Sequence, residues 1–242
     1  MIENNNKFKF DMQLNYWLNY CKTIPLQGEF ALLSHMERNI LHDLILQLDD
    51  NSIIIEIGSA LGGSACILAA ANPTNNIICI EPFHNNIWSW KNQVKPYLDR
   101  HIMTWCDLHN TSVENQLSWI SVIDSCFEED PLGISAFHAI TKDFPNIKLI
   151  RGESPYICAD WSQPIDVYFE DAMHENPLLH ENINFWSRHI KPNGFIVGHD
   201  YDDRCPDVIK EFNKLIEKGW SVISKVQSLI ILQKPNLIEG NT

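Results

Sequence analysis

Basic residues are scarce in this chain. Only 18 Lys and Arg stand against 31 Asp and Glu, and they form no run. The resulting formal net charge of −13 repels phosphate, which argues against nucleic acid or an anionic membrane as the main partner. No stretch of about 18 apolar residues is present, so no membrane-spanning helix is expected. The opening "MIENNNKFKF" has neither the apolar centre nor the small-residue cleavage site of a secretory signal. There is no Cys-x-x-Cys pair. The seven cysteines are scattered, as expected of free thiols in a reducing cytoplasm. No internal repeat is visible.

Apolar residues make up 45% of the 242, enough to fill a real core. The length suits one domain over 1–242 carrying an inserted segment. Residues 1–33 read as a helical extension, with one helix over Met12–Cys21. Ser34 and Glu37 have capping-box spacing, and Leu41, Leu44, Ile45 and Leu48 follow at helical intervals.

From there strands and helices alternate. "IIIEI" at 53–57, "IICIE" at 77–81, "IKLI" at 147–150, "IDVYF" at 165–169 and "FIVGH" at 195–199 read as buried strands. Helices are expected over 62–71, 135–143, from Asn176 to about Ile190, and from Pro206 to Gly219. "KPNG" at 191–194 reads as a turn, and "WSVIS" and "SLIILQK" as a closing antiparallel pair. Such alternation predicts an α/β fold with a parallel sheet covered on both faces. Residues 84–134 break the pattern and carry Trp88, Trp90, Trp105 and Trp119. This insert is either a helical outgrowth with its own small core, or a lid, substrate wall or homo-oligomer contact.

Ligands of parallel sheets bind beyond the carboxyl ends of the strands. The first strand ends in Glu56-Ile57-Gly58-Ser59-Ala60-Leu61-Gly62-Gly63-Ser64. Gly58 permits a tight turn, and small Ser59 and Ala60 admit a ligand close to the backbone. Gly62 and Gly63 precede a helix whose free N–H groups face outward. The second strand ends in Glu81, a carboxylate able to accept both hydroxyls of a ribose. Two cofactors suit this layout. A dinucleotide site wants G-x-G-x-x-G, and Gly58-x-Ala60-x-x-Gly63 is a near miss. S-adenosylmethionine needs no pyrophosphate grip, and an acid two residues before the first glycine, here Glu56, suits its cationic end.

"EIGSALGGSA" followed by Glu81-Pro82 resembles the cofactor-binding motifs of class I S-adenosylmethionine-dependent methyltransferases. The nearest likeness is to catechol and caffeoyl-CoA O-methyltransferases and to natural-product and sugar O-methyltransferases. "IRGES" at 150–154 and "VYFEDAMHENPLLHENINFWSRHIKPNGFIVGHDY" at 167–201 are similar to the family's later motifs. The resemblance implies a Rossmann-like seven-stranded sheet in the order 3-2-1-4-5-7-6. It implies that Glu56, Gly58, Ser59, Gly62 and Ser64 hold the methionine part, Glu81 the ribose, and Gly152 and Ser154 the adenine. Asp171 falls at a position that touches both cofactor and metal. His199 and Asp200 fall where the family has its other metal ligands. His174 falls where catechol-type enzymes carry a catalytic lysine. The implied reaction is methylation of a small-molecule hydroxyl, with a divalent cation such as Mg²⁺ or Mn²⁺ as an aid.

Two other chemistries use the same residues. A nicotinamide-dependent oxidoreductase would use the loop and Glu81, but would need a hydride-transfer set such as Tyr-x-x-x-Lys, which is absent. A non-haem iron oxygenase would use His174, His199 and Asp200 as a facial triad, and would leave the loop unexplained.

Overall fold

The computed structural model describes residues 24–84 and 86–236; the helix expected over Met12–Cys21 lies outside them. A short 3-10 turn, Leu26–Phe30, leads to α1, His35–Leu46. The capping box forms as its spacing predicts: the Ser34 side chain accepts from the Glu37 amide, and Glu37 accepts from the Ser34 amide. The alternation then follows as β1 (Ile53–Ile57), α2 (Gly63–Ala71) and β2 (Asn76–Glu81).

The insert is helical: α3 (Asn86–Ser89), a π-helical turn Trp90–Val94, α4 (Lys95–His109) and α5 (Val113–Glu129). After it come α6 (Ile134–Thr141), β3 (Ile147–Arg151), β4 (Ile165–Glu170), α7 (Leu178–His189), β5 (Ile190–Gly198), α8 (Pro206–Glu217), β6 (Ser221–Val226) and β7 (Leu229–Gln233).

The seven strands form one sheet in the order β3-β2-β1-β4-β5-β7-β6. The first five pair in parallel, and β7 runs antiparallel to both β5 and β6. Central β1 and β4 are apolar because both faces are covered. One core, with Leu41, Ile54, Leu68 and Phe169, lies under α1 and α2. The other, with Ile55, Tyr168, Trp186 and Phe212, lies under α7 and α8.

Two local readings change. "KPNG" is not a turn between α7 and β5. It lies inside β5, where Ile165 pairs with Ile190 and Val167 with Phe195, so residues 191–194 bulge. Lys234 stabilises the bulge by exchanging backbone hydrogen bonds with Asn193 and Gly194. The insert has a core of its own in which Trp90, Val94, Leu98, Trp105, Ile120 and Phe127 pack with Phe30, Leu61 and Cys66. Trp90 and Trp105 are thus core residues, while Trp88 is half exposed. Phe30 contacts Trp90, Trp105 and Trp119, and so joins the segment before α1 to the insert.

Candidate active site

The carboxyl ends of β1, β2, β3, β4 and β5 open on one side of the sheet, and every sequence-predicted site residue lies at one of them. Glu56 is the penultimate residue of β1 and is completely buried. One of its carboxylate oxygens accepts from the Cys79 thiol and the other has no partner. Burial pushes its carboxyl up to about 7. Ser59 is also buried, and its hydroxyl lies beside Glu56, whose carboxyl it partly steadies against burial. Buried polar atoms are nearly always paired, so the free Glu56 oxygen has capacity for one more donor.

Gly58 turns the chain out of β1 at φ 86°. A Cβ at this position would lie 2.4 Å from the carbonyl oxygen of Asp171, so the loops after β1 and β4 meet there. Gly62 has φ 84° and begins α2. The next residue, Gly63, lies against the backbone of Phe30 and Ala31, which roofs the N-terminus of the helix. Ser64 is buried in the first turn.

Glu81 accepts from the amides of Ala60 and Phe83, each at 2.9 Å. It thereby braces the first loop and keeps further lone pairs unused by the protein. Burial raises its carboxyl, and the two amides partly offset that. The Gly152 amide donates to the Glu81 carbonyl at 3.2 Å, which sets the turn after β3 beside β2. Ser154 is buried there, and its hydroxyl accepts from the Trp186 indole at 2.9 Å.

The ends of β4 and β5 carry the ionisable cluster. His199 Nδ1 lies 2.9 Å from Asp171 Oδ1 and 3.4 Å from Asp200 Oδ2. Its Nε2 lies 3.3 Å from the Ser228 hydroxyl and 3.8 Å from Glu37. Burial opposes charge on His199, but Asp171, then Asp200 and Glu37, hold it at up to about 12. His199 is thus flanked by acidic or hydroxyl groups on both nitrogens, an environment that favours its protonated form. His174 is half exposed, with Nε2 2.9 Å from Asp200 Oδ2. Asp200 raises the His174 pKa, while His174, then His199, hold the Asp200 carboxyl well below the usual range.

The structure thus brings Asp171, His174, His199 and Asp200 together. Among the described residues, the group with ligand atoms all within 4.8 Å of one another is Asp171, His174 and Asp200. His199 Nδ1 lies against the same two carboxylates, 2.9 Å from Asp171 and 3.4 Å from Asp200. Two carboxylates and one imidazole are a chemically sound set for a divalent ion.

Sequence reading missed the supports. Glu37 is both a helix cap and a carboxylate beneath His199; Ser228 donates to it at 2.7 Å across 191 residues of chain. No spacing rule reveals such a pair. Glu170 was also missed, although an acid directly after the apolar run Val167–Phe169 is a visible signal.

A family model described as a methyltransferase domain matches residues 55–201, from within β1 to just past β5. The chain belongs to this family. It is a class I S-adenosylmethionine-dependent methyltransferase, and its strand order agrees. Solved structures share the fold at low identity. The O-methyltransferase NovP is 12% identical, with 85% of this chain and 82% of that one covered and a TM-score of 0.55. The precorrin-6y C5,15-methyltransferase of Geobacter metallireducens gives 15%, 85%, 95% and 0.54. A Bacillus cereus O-methyltransferase in complex with SAH gives 14%, 92%, 88% and 0.52. No curated protein matches.

The free Glu56 oxygen, with the Glu81 carboxylate at the next strand end, fits the cofactor of this methyltransferase. The family match does not favour the nicotinamide and iron-oxygenase readings. No helix among the described residues is long and apolar enough to cross a membrane.

Proposed function

We propose that this methyltransferase methylates a hydroxyl of a small-molecule acceptor, sugar or phenolic in type, with His174 as general base. The observation that carries this reading is the His174–Asp200 pair at the mouth of the site. The cofactor, when bound, supplies an electrophilic sulfonium methyl group; the protein must align a nucleophile and remove its proton. Asp200 accepts from His174 Nε2, which fixes the tautomer and leaves the Nδ1 lone pair free. As the acceptor oxygen attacks, its O–H proton passes to Nδ1, and Asp200 stabilises the imidazolium formed. The His199 imidazolium between Asp171 and Asp200 limits mutual repulsion of the two carboxylates.

Glu56 and Ser59 would hold the methionine end, Glu81 the ribose, and Gly152 the adenine edge. The insert would wall the acceptor side, with half-exposed Trp88 as its contact residue.

A second reading has an observation of its own, the compact Asp171, His174 and Asp200 group. A divalent cation held there would lower the pKa of an acceptor hydroxyl, and His174 would be a ligand instead of the base. A screen of hydroxylated acceptors with labelled S-adenosylmethionine, run on wild type and on His174→Ala, tests the proposal. Transfer to oxygen that collapses in the variant supports it. Undiminished transfer in the variant overturns the role of His174.

A further inference from the structure

We propose that Glu170 is the positioning residue of the catalytic loop: its carboxylate, braced by Tyr168, holds Asp171 and His174 where they act. The proposal rests on the reading of that loop given above.

Glu170 ends β4 in an apolar setting. Its parallel neighbours in register are Ile57 on β1 and Gly198 on β5. A buried carboxylate is costly there unless its oxygens are fully used. They are. One oxygen accepts from the amides of Ala172 at 3.1 Å and Met173 at 3.3 Å. The other accepts from the Tyr168 hydroxyl, two residues back on the same side of the strand. Tyr168 is itself fixed, wholly buried against Trp186.

The side chain therefore folds over the two residues separating Asp171 from His174, in the way a capping side chain holds a turn. The backbone adds two ties at the same point. The Asp171 amide donates to Ile57 at 3.0 Å, and the Glu170 carbonyl accepts from the His199 amide at 3.1 Å. Asp171 and Ala172 also fill the space beside Gly58. The carboxylate thus shapes a loop that the backbone already ties to both the cofactor turn and the His199 segment. The backbone ties would survive any side-chain change at 170, whereas the Ala172 and Met173 amides depend on the carboxylate. Its loss should displace His174 more than the cofactor loop.

The test compares Glu170→Met, Glu170→Gln and Tyr168→Phe in the full chain. Three quantities are read: kcat, cofactor Kd by calorimetry, and hydrogen exchange at the Ala172 and Met173 amides. E170M removes the acceptor and should lower kcat by about a hundredfold, the scale of an ångström-sized misplacement. Its cofactor Kd should stay within about threefold of wild type, a split that marks loss of positioning instead of binding. The two amides should lose protection. E170Q keeps an amide oxygen for both N–H groups and should recover most of the loss.

Wild-type kcat in E170M, unchanged protection of the two amides, or equal losses in kcat and cofactor binding would overturn the proposal. Should E170M fail to fold, Y168F decides: it should lower kcat and loosen the two amides while sparing cofactor affinity, and no change in either would refute the role. Should the acceptor prove to be an amine or thiol, the same split is measured on that acceptor. Failure of the oxygen assignment is thus separable from failure of the positioning role.

Discussion

His174 and Asp200 meet at 2.9 Å although they leave different strands, one four residues beyond β4 and the other two residues beyond β5. The contact depends on an unusual backbone. Asp200 sits at φ 55°, in the left-handed region that Asp tolerates better than most residues.

The charge of Asp200 raises the pKa of His174, so proton removal by His174 should require a higher pH than a free imidazole would. Asp200→Asn removes that charge. The acidic limb of the kcat profile should therefore move to lower pH, and the plateau should fall because the tautomer is less firmly set. Rates between pH 5 and 9 check this. A limb that stays in place while the plateau falls would assign the titration to another group.

A cation at Asp171, His174 and Asp200 would make a different demand. With one imidazole in the set, Mn²⁺ or Co²⁺ should bind more tightly than Mg²⁺. His174→Gln should erase most of that preference, whereas His199→Gln should weaken all three ions together by disturbing both carboxylates. Calorimetric titration of the cofactor-loaded protein reads this directly. No binding of any of the ions would remove the cation from the site.

Glu56 tests the cofactor assignment through stability. Its folded pKa of about 7 lies above its ordinary value of 4.5. The folded state therefore favours the neutral acid. That contribution is fully present below about pH 4.5 and is lost as pH rises through 7. In the cofactor-free protein, Glu56→Gln should raise stability at pH 8 by on the order of 1–3 kcal/mol and change little at pH 4.5. The same variant should weaken the cofactor. Denaturant titrations at the two pH values measure the difference, and equal effects at both would mean that Glu56 is charged throughout.

Glu81→Ala should weaken S-adenosylmethionine binding by about 1.5–3 kcal/mol, since it removes a charged acceptor and frees the Ala60 amide that the carboxylate holds. Unaltered affinity would place the ribose elsewhere.

Trp105→Ala should destabilise the fold by about 3–5 kcal/mol, because the indole is buried in the small core of the insert. A near-neutral result, read by thermal unfolding, would show that the insert folds and packs independently of this contact.

The sheet was largely legible because parallel strands buried on both faces are mostly apolar, as "IIIEI" and "IDVYF" are apart from Glu56 and Asp166. The strand-end rule then named Gly58 and Glu81, and the family resemblance Asp171 and Asp200, without knowledge of any contact. Two things could not be read. Whether His199 or His174 offers a free nitrogen depends on Ser228 and Glu37, which approach from remote parts of the chain. Whether the tryptophans of the insert face inward depends on helix rotation; Trp90 and Trp105 turned in and Trp88 out. The bulge at "KPNG" was missed because its pairing partner, Lys234, follows β7 and leaves no local trace.

Ser228 lies in the bend between β6 and β7, and its amide and hydroxyl both reach Glu37 in the first described helix, 191 residues away. Closing so long a loop is slow relative to forming local helices. During synthesis the cofactor loop can form early, but His199 gains its outer support only after the final hairpin has left the ribosome. A chain stopped before Ser228 would lack β7, leave β6 without its pairing strand, and deprive His199 of its Ser228 contact.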